Sequence, residues 1–120
     1  MKLKPVAKGD YKFLYGLLNS RAPEENISHV KMPTYKEHCE FWDLKPYKNA
    51  YIVWEKNMRT GCVYVTDRHE LGVHTLNGSE EEVIKKFHNV DINVSPNNKP
   101  LQRALERLGY SVVQWTYTKR

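Results

Sequence analysis

Two side chains near the middle of the chain could do acid–base work. In the stretch Glu70-Leu71-Gly72-Val73-His74 a carboxylate and an imidazole stand four residues apart. If the stretch is a strand, alternation puts Glu70, Gly72 and His74 on one face. A carboxylate accepts protons, and histidine titrates near neutrality, so this face could hold a general base. The competing reading is structural, with Glu70 a solvated residue after a tight turn and His74 part of a polar cluster under a helix. Asn93 and Ser95 share a face of another short strand, where they could orient an amine or a carbonyl. Ser95 could equally bond within the Ser-Pro-Asn-Asn turn it opens. His38 and Cys39 are neighbours, but adjacent helical residues point about 100° apart and do not make a nucleophile pair. His69 falls in a turn and reads as solvated. Trp42, Trp54 and Trp115 read first as core or interface anchors.

The global numbers restrict the setting for such a site. The chain has 120 residues, enough for one domain with a core but not for two. Its apolar runs are too short to span a membrane or to serve as a signal peptide, so a cytoplasmic location is the expectation. Cys39 and Cys62 are the only cysteines. Without a CxxC spacing or further thiols they predict no metal site. The net charge of +5 favours an anionic partner. The lysines and arginines are dispersed, which makes nucleic acid the weaker choice.

The elements that must position these residues follow from period and punctuation. Residues 2–6 read as a first strand. Asp10 reads as an N-cap for a helix over 11–18, with Phe13, Leu14, Leu17 and Leu18 on one face. Pro23 enforces a loop. Thr34 and Glu37 have capping-box spacing, so a second helix is expected over 35–42. The period then changes to three short strands, 50–54, 61–66 and 70–74, an antiparallel meander. Ser79 and Glu82 again have capping-box spacing, opening a helix of about two and a half turns. A strand over 90–94 leads to a helix opened by Asn98 or Lys99. Leu101, Ala104, Leu105 and Leu108 give that helix its core face, and Gly109 reads as its C′ residue. Residues 111–117 alternate and predict a closing strand. The order is β-α-α-β-β-β-α-β-α-β in a single α+β domain over 1–120. An exposed edge on so small a sheet makes a homodimer an expectation to test.

The stretch INVSPNNKPLQRALERLGY, 92–110, resembles a segment of the GNAT family of N-acetyltransferases. The family form is strand, x-P-x-N, helix, then L-G-F/Y. GCVYVTDRHELGVH resembles the family's central hairpin, and NISHVKMPTYKEHCEFW with KPYKNAYIVW resembles the helix and strand before it. The likeness covers nearly the whole chain. It implies a mixed, mainly antiparallel sheet flanked by helices, and acetyl-CoA-dependent acylation of a primary amine on a small molecule or protein. The cofactor's pantetheine arm would pair with the end of the third central strand at Leu71, Val73, Thr75 and Leu76. It would enter where that strand and the next splay apart. Asn98 would hold the following turn and contact the cofactor. Glu70 matches a position where many relatives carry an acidic base.

Two departures set a second expectation beside the first. The family's phosphate loop, Q/R-x-x-G-x-G/A, is replaced by HTLNGSEEEV, with one glycine and three glutamates. A pyrophosphate there would face carboxylates that already satisfy the helix N-terminus. Leu101 and Leu105 stand where relatives carry a serine and a tyrosine, the latter the proton donor. Tyr110 and Tyr117 are the candidate substitutes. The alternatives are therefore an acyltransferase, a GNAT-like binding or structural module without turnover, and, more weakly, a nucleic-acid binder.

Overall fold

The computed structural model describes residues 1–20 and 32–119. The expected loop at Pro23 lies outside the described residues. The elements are β1 (Lys2–Pro5), a 3-10 turn (Lys8–Asp10), α1 (Tyr11–Asn19), α2 (Tyr35–Asp43), β2 (Asn49–Glu55), β3 (Met58–Val65), β4 (Glu70–Thr75), α3 (Glu80–Ile84), β5 (Asp91–Ile92) and α4 (Lys99–Arg107). They form one sheet in the order β1-β2-β3-β4-β5, antiparallel except for the parallel β4–β5 pair. This is the mixed, mainly antiparallel α+β architecture that the patterns predict.

Turn chemistry sets the register. Lys56 and Asn57 both have positive φ (51° and 66°) between Glu55 and its partner Met58, the two-residue turn that matches strand twist. After β3, Thr66 closes the next turn. Its Oγ1 accepts the N–H groups of Arg68 and Glu70, and His69 takes φ 61°. Gly61 is required where β3 meets β4, because a Cβ there would lie 2.4 Å from the His74 carbonyl oxygen.

Alternation divides the sheet into two faces. Val53, Val63, Val65 and Leu71 point to one side, where Val83 and Ile84 of α3 and Leu105 of α4 close the core. α1 packs on β3 from the other side and buries Leu14 and Leu17. α4 sits where its sequence predicts. Asn98 Oδ1 accepts the Leu101 N–H at its start. At its end Gly109 takes φ 90°, and the N–H groups of Gly109 and Tyr110 donate to Glu106 and Leu105. That pair of bonds satisfies two carbonyls the helix would otherwise leave open.

Five expectations differ from the structure. The strand expected over 90–94 is only two residues long, Asp91–Ile92. Asp10 does not cap α1; its buried carboxylate accepts the Ala7 N–H (2.8 Å) and the Arg59 Nε (2.9 Å). Ser79 makes no cap bond, and its hydroxyl donates instead to Asn77 Oδ1. α3 is only five residues long. Residues 111–117 form no strand, although their alternation predicts one. Among the described residues no helix is long and apolar enough to cross a membrane.

Candidate functional site

The β4–β5 ladder is only two pairs long, Glu70 with Asp91 and Leu71 with Ile92. Beyond Ile92 the chain turns away through Asn93, Val94 and Ser95, and a cleft of about 1150 Å³ opens between the strands. Gly72, Val73 and His74 line it from one side and Asn93, Val94 and Ser95 from the other. Leu76 N–H donates to Thr60, and Thr66 N–H to Glu70 C=O, so the even-numbered peptides of β4 face β3. The odd-numbered ones face away, as the Thr75 N–H, which donates to Glu80, confirms. Val73 therefore turns its N–H and C=O into the opening where no strand pairs with it.

Glu70 and His74 both line this cleft. The Asn93 side-chain amide donates to the Glu70 carboxylate, while Thr66 Oγ1 accepts the Glu70 backbone N–H and fixes the start of the strand. His74 stands four residues along the strand, about 13 Å away, so the two side chains share a face without contact. His74 lies directly opposite Cys62 of β3, which also lines the cleft. Neither cysteine is in a disulfide, and the described residues hold no cluster of potential metal ligands.

The remaining candidates divide. Leu71 is buried in the core, and its cleft-facing contribution is its backbone. Thr75 is buried, whereas Leu76 is 58% exposed and points out. Asn98 lines the cleft with its side chain engaged as the α4 cap. Tyr110 packs against the core at the end of α4 and is not part of the cleft lining. The turn at Gly109 carries it to the core side. Tyr117 is 90% exposed.

The phenols that do line the cleft are Tyr64 and Tyr47. Tyr64 pairs with Gly72 across β3 and β4, and its ring covers the glycine so closely that a Cβ would lie 2.2 Å from Cζ and 2.5 Å from the hydroxyl. Tyr47 stacks on Tyr64 with ring centroids 3.9 Å apart. The sequence marks neither, because the pairing of an aromatic residue with a glycine becomes visible only once the register is known. Phe41 and Trp42 of α2 extend the same aromatic wall.

His38 is buried within that wall, packed edge-on against Tyr15 and Trp42 and stacked on Tyr35. Its Nε2 donates to the Tyr11 carbonyl at 3.0 Å, tying α2 to α1. Burial holds its pKa below the ordinary histidine value, against the pull of that bond. The unfolded chain then binds a proton at a higher pH than the folded one, so stability falls as pH drops through the ordinary histidine range. Denaturant midpoints should fall between pH 7 and pH 5, and a His38→Gln variant should lose that part of the pH dependence.

Comparison with known proteins decides the fold. No protein-family model matches the chain, and no curated protein does. Solved structures do. A domain from Methanocaldococcus jannaschii matches with a TM-score of 0.73 at 16% identity, over 94% of this chain and 89% of that one. A point mutant of spermidine N-acetyltransferase SpeG from Vibrio cholerae matches at 0.70 and 15% identity, over 92% and 78%. A chimera of SpeG with hSSAT matches at 0.71 and 14%, over 89% and 78%. The chain has the GNAT fold. At these identities the likeness establishes architecture, and the site must be argued from its own residues.

The segment after β4 is held by its own side chains. Glu80 Oε1 accepts the Thr75 N–H, Thr75 Oγ1 accepts the Ser79 N–H at 3.0 Å, and Asn77 Nδ2 donates to Glu55 at 2.6 Å. Glu81 pairs with Arg107 of α4. Gly78, at φ 74°, provides the turn. Two backbone donors here, the Thr75 and Ser79 N–H groups, are thus committed to the protein's own side chains.

Proposed function

We propose that this chain transfers an acyl group from a pantetheine thioester to an amine. The observation that carries the reading is the opened β4–β5 ladder, which brings the Val73 peptide edge and the Glu70 carboxylate into one cleft. An extended amide chain can pair with such an edge as a strand would. The fit to acetyl-CoA is divided. Its pantetheine half matches the β4 edge, whereas its pyrophosphate finds the Thr75 and Ser79 N–H groups taken and Glu80 and Glu81 beside it. When bound, the cofactor would supply an activated acyl thioester.

The chain's own residues supply the rest. Glu70 accepts the proton of the acceptor ammonium, oriented by the Asn93 amide. Removing that proton exposes the nitrogen lone pair. Tyr64 Oη, over Gly72, is placed to give a proton at the centre of β4, the role that Leu101 and Leu105 cannot fill. The aromatic side chains of Phe41, Trp42, Tyr47 and Tyr64 line this end of the cleft. A second reading, a GNAT-fold protein that binds without turnover, is favoured by the committed donors after β4.

Thiol release separates the two readings. Purified protein is incubated with a panel of primary amines and either acetyl-CoA or acetyl-pantetheine at millimolar concentration. Amine-dependent thiol release with either thioester is the expected result. Silence with both, together with no thermal stabilisation, would sink the acyltransferase reading.

A further inference from the structure

The cleft is acidic inside and basic at one lip. Among the described residues it is lined by four carboxylates, Glu37, Glu70, Glu80 and Glu81, and by a single guanidinium, Arg107. The solvent side of α4 has the opposite sign. Lys99, Arg103 and Arg107 follow one another at four-residue steps, and Glu106 is the one carboxylate of the helix. Pro100, Ala104 and Arg107 line the cleft, so Arg103 falls beside them, just outside it. Lys99 and Arg103 are exposed, and neither makes an ion pair among the described residues. On α3, Glu81 pairs with Arg107, and exposed Lys85 follows it by one turn.

Like charges four residues apart weaken a helix, so this stripe does not serve α4 itself. It offers contact to an anionic partner outside the cleft. The lining just inside does not suit an anion. The Thr75 and Ser79 N–H groups are taken, and Glu80 and Glu81 stand beside them. A nucleotide thioester would bring its diphosphate to that position. A carrier protein presents the same amide arm, 4′-phosphopantetheine, through one phosphodiester on a serine, and so leaves the diphosphate out. We propose that the acyl donor is a phosphopantetheine thioester borne on an acidic carrier protein. The carrier's anionic surface docks on Lys99, Arg103 and Lys85, and its arm lies along the Val73 edge of β4.

This inference rests on the acyl-transfer reading and names its donor. The two signs of charge then have separate tasks. The basic lip steers and holds a macromolecular anion, and the acidic interior receives the acceptor ammonium. The acceptor nitrogen bonds to the acyl carbon as the carbon–sulfur bond breaks, and the thiol leaves on the carrier's arm with its proton. The net charge of +5 favours the encounter with an acidic protein as a whole.

The probe is a free-standing acyl carrier protein of negative net charge, in three forms: without the arm, with the arm, and with the arm acetylated. Binding of each labelled form is read by fluorescence anisotropy, separately from turnover, so the docking stands or falls without the acyl-transfer assay. The acetylated carrier should bind at least about tenfold more tightly than acetyl-pantetheine, and raised salt should weaken it. The double variant Lys99→Glu/Arg103→Glu should lose at least about tenfold in carrier affinity. Its use of acetyl-pantetheine should not change, because neither residue lines the cleft. That control also shows that the variant folds. Carrier-borne and free arms bound equally well would overturn the proposal. So would a double variant that binds the carrier as the parent does. A carrier without the arm that binds as tightly as the acetylated form would make the stripe a general anion surface, and would overturn it too. If these results fail while acetyl-pantetheine still gives amine-dependent thiol release, the donor assignment falls and acyl transfer stands.

Discussion

A Glu70→Gln protein should transfer acyl groups about 10²–10⁴-fold more slowly than the parent, the usual loss when a positioned general base is removed. The substitution is isosteric, and the new amide oxygen can still accept from Asn93, so the cleft and the fold should remain. The acidic limb of the pH–rate profile should disappear with the carboxylate, a change that a purely structural glutamate would not produce. His74 provides the internal comparison. It lines the same cleft but lies about 13 Å along the strand, beyond reach of a proton that Glu70 abstracts. If His74→Gln removes the limb and Glu70→Gln keeps it, the base sits at the other end of β4 and the acceptor enters from there.

The parts legible in the sequence are those governed by local rules. The Thr34–Glu37 box forms as spaced, with Glu37 accepting the Thr34 N–H and Thr34 Oγ1 accepting the Glu37 N–H. The 3.6-residue period of Leu101, Ala104, Leu105 and Leu108, and Gly109 after it, located α4 and its end. The three central strands were visible from alternation and their turns. What escaped depended on distant partners. Asp10 is drawn away from α1 by Arg59, forty-nine positions along the chain. Ser79 is the local exception: it has the spacing of a cap, but Asn77 and Thr75, two and four residues before it, claim its hydroxyl and its N–H. Tyr64 acquires its place only because the β3–β4 register sets it against Gly72. Residues 111–117 have the pattern of a strand, but a strand also needs a neighbour, and pattern alone does not supply one.

The acidic segment after β4 makes the opposite kind of prediction, a gain. Replacing Glu80 and Glu81 together with alanine should tighten acetyl-CoA binding by about tenfold or more, read by calorimetry. Three effects act in the same direction. Two carboxylates beside the cleft are removed, the Thr75 N–H that Glu80 occupies becomes available, and Arg107 loses the partner that holds it. Arg107 already lines the cleft, so its released guanidinium can turn toward an anion there. Acetyl-pantetheine is the control. It has the amide arm that β4 can pair and lacks the pyrophosphate, so its affinity should not change. In the parent protein the two thioesters should therefore bind with similar strength, and only the double variant should prefer acetyl-CoA. Equal tightening of both would mean that the glutamates act on the whole cleft and not on a phosphate position. No change for either would place the pyrophosphate elsewhere, while leaving the pairing at Val73 intact as the basis for binding the thioester.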